Sequence, residues 1–114
     1  MTTAIKAQRF TVKGIITIPF KQQIDGSDIL RLEADLIVGN KSHFLIADQD
    51  IIVSNGTLQL PLEFTARAET SDKALIHAYS ILSGLEKVNG KMDIKGKKKR
   101  FTSTGAKVEW RIAE

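Results

Sequence analysis

The chain has 114 residues, no cysteine and a formal net charge of +4 at neutral pH. This length suits a single domain spanning residues 1–114, and the missing cysteines exclude disulfides, thiol nucleophiles and thiolate metal sites. An apolar content of 42% with 26% charged residues is that of an ordinary globular protein, which argues against wholesale disorder. No apolar run approaches the roughly 20 residues of a membrane-spanning helix. Residues 1–9 lack the apolar core of a secretory leader, so a cytoplasmic protein is expected.

In chain order, the first pattern is strict alternation. Phe10, Val12, Ile16, Ile18 and Phe20 alternate with Arg9, Thr11, Lys13 and Thr17, the signature of a half-buried strand. Gly14 interrupts its apolar face, which suggests a bulge or a close backbone approach. Pro19 cannot donate a backbone hydrogen bond, so that end of the strand is expected at an edge. Asp25, Gly26, Ser27 and Asp28 read as a turn. Leu30, Leu32, Ala34, Leu36 and Val38 then alternate with Arg31, Glu33 and Asp35 in a second strand that ends at Gly39 and Asn40.

Residues 44–47 and 51–53 flank Asp48, Gln49 and Asp50, and read as two short strands or one bulged strand. Asn55-Gly56 is a strong hairpin signal, because both residues tolerate the positive φ of a type I′ turn. It leads into a strand in which Leu58, Leu60, Leu62, Phe64, Ala66 and Ala68 alternate with Gln59, Glu63 and Arg67. Pro61 again points to an edge or bulge.

The period then changes from 2 to 3.6. Thr70 or Ser71 can cap a helix, with Asp72 favourable in its first turn. Ala74, Leu75, Ala78, Ile81, Leu82 and Leu85 form one stripe, and Gly84 is placed to end the helix. Two strands are expected after it: residues 91–95, and residues 100–112 with Gly105 as a bulge. The expected fold class is α+β. It is a mainly antiparallel sheet of about six strands, in the order β-β-β-β-α-β-β, covered by one helix as a two-layer sandwich or a half-open barrel. From Phe64 to Ile94 the succession of strand, capped helix, glycine, lysine-rich turn and strand is similar to small βαβ RNA-binding modules of ribosomal proteins. That resemblance covers under a third of the chain and rests on pattern alone.

Charge supplies the one candidate site. Lys87, Lys91, Lys95, Lys97, Lys98, Lys99 and Arg100 stand against a single acid, Asp93, which gives +6 within a chain of +4. Everything outside that stretch sums to −2. Read as the loop of a hairpin, it is a reachable cationic site for nucleic-acid phosphates, contacted through the backbone with low sequence specificity. The bland reading is a solvated loop or an arm for an acidic protein surface. Phe101, Tyr79 and Trp110 are the aromatic residues considered as base platforms, but Trp110 is in phase with Val108 and Ile112 and belongs to a core face.

Other chemistry is thinly represented. His43 and His77 lack ligand spacing and show no partner in the pattern. Asp48 with Asp50, and Asp25 with Asp28, could each pair carboxylates, yet both groups read more simply as turn formers. No glycine-rich phosphate loop or nucleophile elbow occurs. The expectation is therefore a non-enzymatic binding module with no cofactor and no metal. A structural or protein-interaction subunit, such as an oligomer or particle component or a protein inhibitor, is the alternative. Open strand edges at the two prolines motivate it and would also permit a homo-oligomer.

Overall fold

The computed structural model describes residues 6–113. The reading of the amino-terminal segment concerns in part residues 1–5, which lie outside the described residues. Eight strands and one α-helix follow in the order β1 (Gln8–Pro19), β2 (Ile29–Val38), β3 (Lys41–Ala47), β4 (Ile52–Ser54), β5 (Thr57–Ala68), α1 (Ser71–Ile81), β6 (Leu85–Ile94), β7 (Lys97–Thr104) and β8 (Lys107–Ile112). They form two antiparallel four-stranded sheets: sheet A, ordered β4-β5-β1-β8, and sheet B, ordered β3-β2-β6-β7. The molecule measures 62 × 29 × 22 Å. No helix among the described residues is long and apolar enough to cross a membrane.

The α+β, mainly antiparallel character expected from the sequence is present, but the described residues form eight strands rather than about six. Residues 44–47 and 51–53 belong to two short strands, one of the two expected alternatives, and the expected strand 100–112 is split between sheets. The segment around Asp48 is a loop and not a bulge. It carries the chain from β3 in sheet B to β4 in sheet A, with Asp50 at φ 58°. Gly105 likewise is not a bulge, because the chain crosses there from β7 in sheet B to β8 in sheet A. The βαβ resemblance also fails, since β5 and β6 lie in different sheets and α1 links two layers instead of two strands of one sheet.

Sheet A acts as a long platform. β1 and β5 pair along twelve residues each, from Gln8 opposite Ala68 to Pro19 opposite Thr57. Its inner face is covered in two halves. Near the Pro19 end, Ile16, Ile18, Leu58 and Leu60 pack against Leu32, Ala34, Leu36, Val88 and Met92 of sheet B. Near the Gln8 end, Val12 and Ala66 pack against Ala74 and Ala78 of α1. Large side chains including Ile16, Leu32, Leu60 and Met92 are fully buried, each contributing about 1.5–3 kcal/mol by apolar burial. The helix therefore covers one end of one sheet only, and the second sheet covers the rest.

Local signals explain most element ends. The Thr70 hydroxyl accepts the Lys73 amide at 3.2 Å, capping α1. Asn55 (φ 49°) and Gly56 (φ 78°) form the expected tight turn between β4 and β5. β4 pairs only as far as Gln59, so Pro61 lies on an open border of β5. Pro19 is at the end of an inner strand, two residues beyond the last β8 pairing at Thr17. Its carbonyl accepts the Ser103 hydroxyl of β7 at 2.5 Å, which ties the two sheets together. β2 departs from its alternation at its start. A register shift between Ile29 and Arg31 buries Ile29 and leaves Leu30 56% exposed.

Two glycines sit opposite aromatic residues in the pleat. Gly14 pairs with Trp110 across β1 and β8, and a Cβ there would lie 2.5 Å from the indole. Gly90 pairs with Phe101 across β6 and β7, and a Cβ there would overlap the phenyl ring. Both rings lie down over the bare backbone opposite, a packing that pins strand register. Trp110 meets Phe64 edge-on at 5.3 Å, and Phe101 meets Phe20 edge-on at 5.3 Å. The indole Nε1 of Trp110 is buried without a hydrogen-bond partner among the described residues.

Candidate functional site: a basic edge strand

The cationic stretch is not a loop. Its turn is only Lys95 and Gly96, at φ 53° and 87°, between Ile94 and Lys97 of the β6–β7 hairpin. Lys97, Lys98, Lys99 and Arg100 form the first half of β7, which is an outer border of sheet B. Cross-strand pairing sets Lys98 opposite Asp93, Lys99 opposite Met92 and Arg100 opposite Lys91. Loop-like charge in the sequence becomes strand because Phe101 and Ser103, further along, anchor β7 through Phe20 and Pro19.

A strand sends alternate side chains to opposite faces. Lys98 and Arg100 therefore share the outer face of sheet B with Thr102, whose hydroxyl donates to Asn89 Oδ1 at 3.0 Å. Lys97 and Lys99 lie on the face of Phe101. All four cations are exposed, and none forms an ion pair among the described residues. The result is a charged ridge along a border, reachable from both faces.

The other three basic residues stand differently. Lys95 pairs with Asp28 at 3.4 Å, and its amide donates to the Asp28 carbonyl at 3.2 Å. The acidic turn at residues 25–28 thus packs against the hairpin tip. Asp25 caps that turn, with its Oδ1 accepting the Ser27 amide at 3.0 Å and the Ser27 hydroxyl at 2.8 Å. These hydrogen bonds, the backbone one first, and more weakly Lys95 hold the Asp25 carboxyl below its ordinary range. Lys91 lies between Glu33 on β2 and Arg100 on β7, and Lys87 stands between Ile37 and Thr104 at the far end of the hairpin.

Pairing thus brings to the basic hairpin acids that are remote in sequence. Along the outer face of sheet B the rows read Ile46, Glu33, Lys91, Arg100, then Phe44, Asp35, Asn89, Thr102, with Arg31, Asp93 and Lys98 at one end. Arg31 pairs with Glu33 at 3.2 Å, and one hollow is lined by Arg31, Glu33, Lys91, Asp93 and Lys98 together. The local +6 is partly offset there, and the free excess lies on the Lys97–Arg100 segment.

The remaining candidates are scattered. His43 is half-buried on β3 opposite Leu36. His77 is exposed on α1, edge-on to Phe64 at 6.3 Å. Neither makes an ion pair among the described residues. Asp48 and Asp50 are exposed in the crossing between sheets. They do not lie on a strand, so alternation does not align them. No group of three or more His, Asp or Glu side chains among the described residues is placed to hold a metal ion. Of the aromatic residues considered as platforms, Phe101 and Trp110 are engaged in packing. Tyr79 is half-exposed on α1, where its hydroxyl accepts the Trp110 backbone amide at 3.3 Å.

The chain has no counterpart in comparisons with known proteins: no family model, curated protein or solved structure matches it.

Proposed function

We propose that the chain is a small non-enzymatic binding module whose β7 border contacts nucleic-acid phosphates. The observation that carries this reading is the run of four exposed cations, Lys97, Lys98, Lys99 and Arg100, on a border strand and without ion pairs among the described residues. Such a ridge draws polyanions and gains free energy from released counterions. With Phe101 engaged in packing and exposed Phe44 on the opposite border of the sheet, contact runs through the phosphate backbone with little base preference. Lys91 and Lys87 widen the ridge, whereas Lys95 serves mainly to fasten the hairpin tip to Asp28. The absence of cysteine suits work in a reducing compartment such as the cytoplasm.

A second reading draws on the same observation. Lysines on a border strand also block unwanted strand addition, which fits a structural or protein-interaction subunit with no nucleic-acid role. Fluorescence anisotropy with labelled single- and double-stranded DNA and RNA across a salt series decides between them. For the native chain, log affinity should fall steeply with log salt. In Lys97→Ala/Lys98→Ala/Lys99→Ala/Arg100→Ala that slope should flatten by about three to four units. No binding at low salt, or a slope unchanged in the variant, overturns the polyanion reading.

A further inference from the structure

We infer that β3, the border of sheet B opposite the basic strand, is the seam of a two-fold homodimer in which β3 pairs antiparallel with β3 of a second copy. β3 pairs with β2 alone among the described residues, so its outer backbone groups are free for another strand. Its outer face presents Phe44, 61% exposed, and Ile46, 47% exposed, on alternate positions. The inference does not rest on the polyanion reading, because it uses the other border of the sheet.

Three observations select a second copy as the occupant. First, the strand is self-complementary in charge. Lys41 opens it, while Asp48 and Asp50 follow its end, and all three are exposed without ion pairs among the described residues. Antiparallel self-pairing sets the basic start of each copy beside the acidic end of the other. Second, another β3 gives the apolar pair a match that the other border of sheet B does not. The outer face of β7 offers Lys98, Arg100, Thr102 and Thr104, which would bury charge against Phe44 and Ile46 in a head-to-tail contact. Full β7-to-β7 pairing would set Lys97–Arg100 of each copy against Phe101–Thr104 of the other, crowding eight cations along one short seam with no acid to balance them. Third, Phe44 is the middle residue of the seven in β3. Full pairing about a two-fold axis therefore puts Phe44 beside Phe44 and Ser42 beside Ile46, a closed isologous interface.

The product is a continuous eight-stranded sheet, β7-β6-β2-β3 joined to β3-β2-β6-β7, with the basic strands at its two outer borders. A seven-residue seam is small for a stable interface, so the dimer should dissociate on dilution.

Because the native chain has no cysteine, single cysteines read the register directly. On mild oxidation at high concentration, Phe44→Cys should give a disulfide-linked dimer. Ser42→Cys and Ile46→Cys should each cross-link poorly alone but form a mixed dimer when combined, with Phe44 still in place. Sedimentation equilibrium should show the native chain associating with concentration and Phe44→Lys remaining monomeric. Circular dichroism would verify that each variant is folded. A native chain that stays monomeric at high concentration, or a folded Ser42→Cys and Ile46→Cys mixture that does not cross-link, overturns the inference. So does cross-linking of Phe44→Cys to Thr102→Cys in place of Phe44→Cys to itself, since that pair reports head-to-tail assembly. Absence of polyanion binding by the native chain, with cross-linking of the cysteine variants intact, would refute the proposed function alone.

Discussion

The two borders of sheet B are built from the same kind of element and have opposite surfaces. β7 carries four consecutive cations and is anchored from within by Phe101 and Ser103. β3 carries Phe44 and Ile46 on its outer face, and inward it offers only His43 and Leu45, both half-buried, and buried Ala47. A border strand must leave backbone groups unpaired, and a fold manages that liability by repelling other strands or by pairing them. On the proposed reading the cationic border repels its own kind and receives polyanions, and the apolar border receives a second copy. The difference lies in side chains alone, since both strands have comparable length and each pairs with a single neighbour.

The anchoring half of this comparison can be broken most strongly at Phe101. Phe101→Ala should cost about 3 kcal/mol, the low end for a phenylalanine because the ring is half-buried. Urea unfolding would measure it. Leu45→Ala, the counterpart on β3, should cost about 2 kcal/mol. If the two costs are equal, the cationic border is no more firmly held than the apolar one. Gly90→Ala should follow at about 1–3 kcal/mol, since the new methyl must displace the Phe101 ring that lies over it. A midpoint unchanged from the native chain would mean the ring moves aside freely.

The smallest expected effect concerns the hairpin tip. The Asp25 carboxyl titrates below its ordinary value of 3.8 because its ionised form accepts two hydrogen bonds from Ser27. A carboxylate with a lowered folded-state pKa adds stability that is fully present above its unfolded value. That stability is lost as the pH falls through the lowered one. Asp25→Asn should therefore show a shallower loss of stability below about pH 4 than the native chain. Thermal unfolding across an acid series would test this, and identical slopes would assign the acid sensitivity elsewhere. Among these variants only Asp25→Asn alters charge near the basic border, and added to Phe44→Cys it should leave disulfide cross-linking at β3 unchanged.

Strand alternation in β1, β2 and β5, the Asn55-Gly56 turn and the helix start at Thr70 were legible in the sequence. Each depends on neighbours within a few residues: the two-residue period of a pleat, the positive φ of a type I′ turn, and a hydroxyl reaching an amide three residues on. The misreadings share a cause. Leu30 is exposed because the pairing of Ile29 with Ile94 shifts the register, and that partner lies far along the chain. Gly105 looks like an irregularity within a strand, yet it marks a change of sheet, as does the break at residues 48–51 between two short strands, and periodicity does not encode which sheet a strand joins. The helical stripe was read on to Leu85, but the helix ends at Ile81 and Leu85 opens β6.

The candidate site divides in the same way. Sequence by itself determined that cations accumulate between Lys87 and Arg100, because composition is local and needs no fold. It also determined the apolar alternation that builds both sheets. Only the tertiary structure decided that Lys97 to Arg100 form a border strand, that Asp28 holds Lys95, and that Glu33 stands beside Lys91. The same pairing left Phe44 and Ile46 on an open border instead of an inner strand. The physical reason is that electrostatics and exposure depend on distance in space, and strand pairing joins residues that the chain keeps tens of positions apart.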